Sequence, residues 1–191
     1  GELDLDARRE SLARLQAQDP AIDFWIVTGP DGTILASSAE GDARALEPLV
    51  TQLGPVWQTG TPVNASEVIS IDDLRAFSPA LGEKALIRDA VPAAQAADVL
   101  CQVAGVPYRQ DDGQIGGVVL VGHVVNNDNS MAERLQGTIP GSYATISLSG
   151  VRIAGNISSE LFPSYVGETQ LPQHIETISR GERYYGRHRL A

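Results

Sequence analysis

One apolar segment in the second half of the chain, IGGVVLVGHVV at residues 115–125, constrains the fold more than any other. It is shorter than the about 20 residues that a membrane-spanning helix needs. Its three glycines and its valines favour a buried strand over a helix. Because a polar helical pattern follows at 130–138, we interpret the segment as the strand that closes one folded unit before a second unit begins.

Composition limits the classes of protein to which the chain can belong. Its 191 residues suit one ordinary domain or two small modules, and a hydrophobic content of 42% is enough for a core. The formal net charge of −10 repels phosphate backbones, so we expect no nucleic-acid partner. Cys101 is the only cysteine, which excludes an intrachain disulfide and a thiolate metal cluster.

The amino-terminal residues read as a helix followed by a hairpin. Residues 3–18 are good helix formers, with Leu5, Leu12 and Leu15 on one stripe. The stripe suits either a helix packed on its own sheet or a short coiled-coil seam between two copies. Residues 22–28 and 33–37 flank a Gly-Pro-Asp-Gly turn signal, which predicts a β-hairpin.

The middle of the chain predicts the remainder of one sheet. We expect a helix at 43–53, a loop at 55–62, and a helix that Ser70 caps and that ends near Phe77. Three further strands are predicted at residues 85–91, 97–110 and 115–125. Five strands with a helical insert between the second and third are typical of a PAS-like or profilin-like antiparallel sheet, so the fold class is α+β.

The last third of the chain starts the pattern again. A helix at 130–138, a hairpin around Ser149-Gly150, a helix at 171–179 and a strand at 182–190 repeat the earlier order in outline. This copy supplies only three strands, which leaves an open sheet edge. The predicted organisation is therefore a helix at 1–20, a first module at 21–126 and the start of a second, incomplete module at 127–191.

Several short motifs together resemble one known family. They are Ala85-Leu86-Ile87-Arg88 with Val91-Pro92, the strand at 115–122, Asn126-Asn127-Asp128, the hairpin at 144–156, Val166-Gly167 and Gly186-Arg187. In this set the sequence resembles the double-Cache extracytoplasmic sensor domains of bacterial histidine kinases, chemoreceptors and diguanylate cyclases. The last two strands of that family, and the Tyr, Arg, Trp and Asp set by which some members hold amino acids, are not recognisable here.

The resemblance implies a function as well as a fold. It implies a PAS-like Cache sheet of five antiparallel strands with a long N-terminal helix, followed by a second Cache-like module. The chain would then be the periplasmic part of an inner-membrane receptor. It would bind a small molecule, such as an organic acid or amino acid, between the first sheet and residues 43–77. A homodimer through the N-terminal helix would relay binding to a cytoplasmic output domain.

Five side chains are candidates for contact with that ligand. Arg88 is predicted mid-strand, where a guanidinium either grips a carboxylate or lies on the surface beside Asp89. His123 shares a strand face with Val119 and Val121, as a ligand contact, a pH sensor or a satisfied core histidine. The full set of predicted ligand-binding residues is Trp57, Arg75, Arg88, Tyr108 and His123.

No pattern of residues indicates catalysis. The chain has no GxSxG motif, and His123, His174 and His188 form no HxxH or HExxH spacing. We therefore expect no enzymatic activity, no cofactor and no metal site. The alternative to a sensor is a structural or dimerisation module of a membrane signalling protein that binds no ligand.

Overall fold

The computed structural model describes residues 5–88, 98–158 and 165–183. These residues form two compact units, one made of 5–86 with 98–126 and the other of 87–88, 127–158 and 165–183. The helices are α1 Leu5–Gln18, α2 Glu47–Gln52, α3 Gly54–Thr59, α4 Ile71–Phe77, α5 Pro79–Ala85, α6 Ser130–Thr138 and α7 Pro172–Ser179, with a 3₁₀ turn at Ala43–Leu46. The strands are β1 Phe24–Thr28, β2 Ile34–Ser37, β3 Val63–Ser70, β4 Asp98–Arg109, β5 Ile115–Val124, β6 Thr145–Leu148 and β7 Val151–Gly155.

A five-stranded antiparallel sheet organises the first unit. Its strands lie in the order β2-β1-β5-β4-β3, which is compatible with a PAS-like fold. The long β4–β5 hairpin turns at Asp111-Asp112-Gly113-Gln114, where the Gln110 amide donates to the Gln114 carbonyl (2.9 Å). The predicted α+β class and the antiparallel five-stranded sheet are therefore confirmed.

The third strand of the sheet is not the one that the sequence predicted. The predicted strand at 85–91 is wrong for residues 85–88, since α5 ends at Ala85 and no strand follows there, and 89–91 lie outside the described residues. Ser78 starts α5 instead, because its hydroxyl accepts from the Leu81 amide (3.4 Å) and Pro79 occupies the first turn. The true third strand is β3, whose alternation of small apolar and polar residues is weak.

The predicted loop at 55–62 is also partly wrong. Residues 54–59 form α3, with Pro55 in its first turn, where a missing amide hydrogen does no harm. The predicted cap of α4 is confirmed, because the Ser70 hydroxyl accepts from the Asp72 amide (3.1 Å). Along the chain between β2 and β4, short helices therefore follow one another with only β3 among them, and these helices form one layer.

The face of the sheet that carries Phe24 and Ile26, called the inner face here, packs against this helical layer. The rings of Phe24 and Phe77 meet edge to face with their centroids 5.6 Å apart. The other large side chains that are at least 97% buried in this core are Leu46, Leu49, Val50, Leu53, Val56, Leu74, Val99, Val103, Val118, Leu120 and Val124. These side chains fill the space between the sheet and residues 43–77, where the sequence predicted a ligand.

The opposite face, called the outer face here, carries Trp25, Val27 and Tyr108 in a smaller buried cluster. Leu12 of α1 packs against that cluster, so α1 is a helix that covers its own sheet. Leu15 is 45% exposed. The prediction that α1 also forms a homodimer is not tested by one chain and stays a prediction.

A buried asparagine closes the first unit. Asn126 is 1% exposed, and its Oδ1 accepts from the Leu100 amide (3.0 Å). Its Nδ2 donates to the carbonyls of Ala85 and Asp98, both at 3.4 Å. One side chain therefore joins the end of α5 to the start of β4.

The larger part of the second unit begins at the next residue. Its described part holds α6, the β6–β7 hairpin and α7, as the sequence predicted. Asn156 ties this hairpin to α6, because its side chain accepts from the Ala144 amide (2.8 Å) and donates to the Ala132 carbonyl (3.2 Å). Of the strand predicted at 182–190, residues 182 and 183 are not in a strand, and the others lie outside the described residues.

Gly122 of β5 offers a test of the inner core. A Cβ at this position would overlap the ring of Phe24, which is fully buried against Phe77 and has nowhere to move. We expect Gly122→Ala to lower the free energy of unfolding by about 1–3 kcal/mol through overpacking. Urea denaturation would measure the change.

Gly137 of α6 is the matched control, since a Cβ there meets no atom within 4 Å. Gly137→Ala should leave the protein equally stable or raise its stability by about 0.5–1 kcal/mol, as expected inside a helix. An equal, small effect of both substitutions would contradict the packing described for Phe24.

Candidate functional site

The structure does not bring the five predicted ligand residues together. Trp57 of α3 packs against the inner core, and its Nε1 donates to the Gly29 carbonyl (3.2 Å). Tyr108 lies on the outer face, where its hydroxyl donates to the Thr28 carbonyl (2.9 Å) and Arg8 stacks on its ring at 4.3 Å. The two aromatic side chains are therefore on opposite faces of the sheet and cannot line one pocket.

The two predicted arginines lie in other parts of the structure. Arg75 of α4 pairs with Asp72 one turn earlier, 3.1 Å away, and is 43% exposed. Arg88 is exposed in a turn after α5, so its predicted place in the middle of a strand is wrong. Only His123 has surroundings that suggest a site.

A buried carboxylate organises the surroundings of His123. Asp23, immediately before β1, has an 11% exposed side chain, and its Oδ2 lies 2.9 Å from His123 Nδ1. The same oxygen accepts from the Val124 amide (2.7 Å), while Oδ1 lies 2.5 Å from Lys84 Nζ. Asp23 therefore joins β1, β5 and α5 at one end of the sheet.

These contacts keep Asp23 ionised. Burial by itself raises the pKa of its carboxyl group, but the hydrogen bonds from His123, Lys84 and Val124 outweigh burial and hold the pKa below its usual 3.8. At neutral pH the cluster of Asp23, Lys84 and His123 thus has one fixed negative charge between two basic groups.

Strand register continues this cluster into a polar row across the outer face. Gln102 of β4 is the direct partner of His123, and Ser66 of β3 is the direct partner of Gln102. Directly paired residues of antiparallel strands have Cβ atoms about 4.5–5.5 Å apart on one face. The row therefore runs from Asp23, just before β1, through His123 of β5 and Gln102 of β4 to Ser66 of β3.

An open groove of about 460 Å³ lies along this row. The residues that line it are Ala21, Asn64, Ala65, Ser66, Gln102, Val103, Ala104, Val121, Gly122 and His123. None of these is acidic, although the chain has 24 acidic residues, and His123 is the one ionisable group among them. Asn64, Ser66 and Gln102 are exposed, and within the described residues their side chains make no hydrogen bond.

A second cavity, of about 370 Å³, lies in the second unit between the hairpin and α7. Thr145, Ser147, Ile175 and Ile178 are among its lining residues, and all of its lining is uncharged. Its Gln170 already donates to the Ser147 hydroxyl (2.7 Å). The groove of the first unit therefore has more unused polar groups and the only ionisable one of the two.

The arrangement is not suited to nucleophilic catalysis. Ser66 lies two strands away from His123, or about 10 Å at the usual strand spacing, so the two cannot share the hydrogen bond that activates a serine. Burial raises the pKa of Cys101 to about 12, with a further contribution from the Asp23 charge, so its thiol stays protonated. Among the described residues, no group of three or more His, Cys, Asp or Glu could hold a metal.

Sequence reasoning found His123 but missed its partners. Asp23 had no distinguishing signal, because a single acid before a strand is common. The one usable sign was Lys84, the only lysine in the chain. Its contact with Asp23 joins residues that are 61 positions apart, and only the folded sheet brings them together.

Comparison with known proteins does not add to this picture. No family model matches the chain, and no curated protein matches it significantly. Over the ranges 5–88, 98–158 and 165–183, no helix is both long enough and apolar enough to cross a membrane.

The Asp23 cluster gives a stability prediction with a definite pH dependence. At pH 7 we expect Asp23→Asn to lower the free energy of unfolding by about 1–3 kcal/mol, since Lys84 and His123 lose their buried charged partner. Because the pKa of Asp23 is lowered by folding, its contribution is complete above about pH 4 and is lost as the pH falls through the lowered value. Urea denaturation at pH 7 and pH 3 should show that the difference in unfolding free energy between wild type and Asp23→Asn is smaller at pH 3.

Glu40→Gln is the control for loss of one negative charge, because Glu40 is exposed. It should change stability by less than about 0.5 kcal/mol at either pH. If the difference in unfolding free energy between wild type and Asp23→Asn were instead larger at pH 3, the conclusion that Asp23 is ionised and hydrogen-bonded in the folded protein would be wrong.

Proposed function

We propose that this chain is the small-molecule-sensing part of a bacterial transmembrane signalling receptor, exposed in the periplasm, and that its first unit binds the ligand. The proposal is supported by the strand order β2-β1-β5-β4-β3, which is compatible with a PAS-like fold, and by the resemblance of short motifs to double-Cache sensors. The observation that carries it is the groove beside His123, which has unused hydrogen-bonding groups and no acidic lining.

We propose the outer face, and not the interior, as the ligand site. The inner core is packed with side chains such as Phe77, Leu53 and Leu74, each at least 98% buried. Opening a space of about 300 Å³ there would cost about 7 kcal/mol at 24 cal/mol per Å³. That is comparable with the whole stability of many domains. The groove needs no such opening.

The contacts of α1 suggest how binding would be transmitted. The Gln16 side chain donates to the Asp23 carbonyl (2.6 Å), so α1 is bonded to the residue that holds His123. Leu12 and Arg8 attach the same helix to the outer-face cluster and to Tyr108. A ligand that prefers one packing of α1 would shift the population of that packing by its difference in affinity.

A second candidate function is a structural or dimerisation module without a ligand. The observation that favours it is the packed inner core, together with Leu15 of α1, which is 45% exposed. This function requires association through α1 and no saturable binding in the groove.

A thermal-shift screen separates the two candidates. Against organic acids, amino acids, amines and sugars, we expect at least one compound to raise the melting temperature, by roughly 5–10 °C at a hundred times its Kd. Ala104→Trp fills the groove and should abolish the shift. Val106→Trp is the matched control, since Val106 shares the same face of β4, is 51% exposed and does not line the groove.

Failure of every class of compound would contradict the sensor proposal and leave the structural module. If the shift in melting temperature persists in Ala104→Trp because the compound binds elsewhere in the first unit, the sensor function stands and the groove is rejected as its site.

Association through α1 has its own test. If α1 forms the expected homodimer, Leu15→Asp should lower the association constant at least tenfold in sedimentation, with little change in melting temperature, because Leu15 is largely exposed. Leu12→Asp is unsuitable, since Leu12 packs on the sheet and its loss would weaken the fold. Leu35→Asp, on the 37% exposed Leu35 of β2, is the control, and an equal effect of both would reject α1 as the interface.

A further inference from the structure

We infer that the groove on the outer face takes a small monocarboxylate, and that protonation of His123 strengthens its binding. The inference rests on the proposed function of the first unit as a ligand-binding module. It adds the chemical class of the ligand and the condition under which it binds.

The charge of the groove selects an anion. In a chain with a net charge of −10, the groove is lined by no carboxylate, and His123 is its one ionisable side chain. Once the imidazole is protonated, the cluster of Asp23, Lys84 and His123 carries two positive charges and one negative charge. Protonation therefore adds a positive charge at one end of the groove, which favours an anion over a cation there.

Neutral donors beside His123 suit a carboxylate. Gln102 is its direct cross-strand partner, and Asn64 and Ser66 line the groove on β3. Each amide offers N–H donors and the hydroxyl offers one more. A carboxylate oxygen that accepts from a protonated imidazole and from a neighbouring amide makes charge-assisted bonds, which are stronger than neutral ones.

The size and the rest of the lining limit the ligand to one charge. A volume of about 460 Å³ is ample for a molecule of a few carbons, and Ala21, Ala104 and Val121 offer apolar contact to a short chain. A second carboxylate would need a second cationic group, and Lys84 is not part of the lining. The groove therefore favours a short aliphatic monocarboxylate over a dicarboxylate.

The groups around His123 make binding depend on pH. Asp23 faces the imidazole from the β1 side, and Lys84 of α5 contacts the other oxygen of Asp23. Gln102 faces it from β4 and is uncharged, and the contact from α1 is the neutral amide of Gln16 on the Asp23 carbonyl. Imidazole titrates near neutral pH, whereas Asp23 is ionised throughout that range, so acid adds a positive charge that only the histidine supplies.

NMR titration of the whole chain with sodium propionate tests the inference. We expect saturable shifts of the Asn64 and Gln102 side-chain amide signals, with a Kd roughly three- to tenfold lower at about pH 6 than at about pH 8, after correction for the propionate anion present. Propionamide, which has the same size without the charge, and succinate, which has a second charge, should bind more weakly.

Two variants locate the binding groups. Gln102→Leu and His123→Gln should each weaken propionate binding at least fivefold, and His123→Gln should also remove the difference between the two pH values. Gln102 is exposed, so its substitution keeps the inference testable even if His123→Gln reduces stability. Gln18→Leu, on the exposed end of α1, is the matched control and should bind as the wild type does.

The outcomes separate the inference from the function on which it rests. Propionate binding that ignores pH or survives Gln102→Leu, or the absence of propionate binding while a neutral compound or an amine binds the groove, would overturn the inference and leave the sensor proposal standing. If no compound of any class binds the first unit, the proposed function fails, and the inference fails with it.

Discussion

The pairing of β4 with β5 is the constraint on which the first unit depends. These strands form the centre of the sheet, and β1 and β3 attach to their two sides. Their register decides which side chains face the helices and which face outward. A slip by one residue would send Val118 and Leu120 outward and bury His123 in the core. The packed interior and the polar row thus follow from the same alignment.

The sequence was sufficient for the elements that carry local signals. The Gly-Pro-Asp-Gly turn, the Ser70 cap and the helix Ser130–Thr138 depend on residues close together in the chain. It was insufficient for β3, where Glu67 on the inner face and Val68 on the outer face interrupt the alternation, and only pairing with β4 makes the segment a strand. It was also insufficient for the site, because Asp23, Lys84 and His123 come from three separated segments. Contacts between distant segments depend on register, which no short motif encodes.

A packed interior limits the surfaces of this sheet at which a ligand could bind. Side chains such as Phe24 and Phe77 fill the inner face, so the binding groups that we propose lie on the face that α1 covers only in part. Polar residues on that outer face cost little, because water solvates them when no ligand is bound. The cluster around Asp23 is the exception, since its charges are partly buried and its geometry is fixed by three elements.

The buried Asn126 has a consequence for the modular use of this chain. The side-chain amide of Asn126 bonds the main-chain groups of Leu100, Ala85 and Asp98, so its loss would leave all three without this partner, and Ala85 is buried. A chimaera that fuses the first unit to a foreign partner should therefore keep the junction after Asn126. A crossover a few positions earlier would remove these three hydrogen bonds from the end of the sheet, whereas one after Asn126 would keep them.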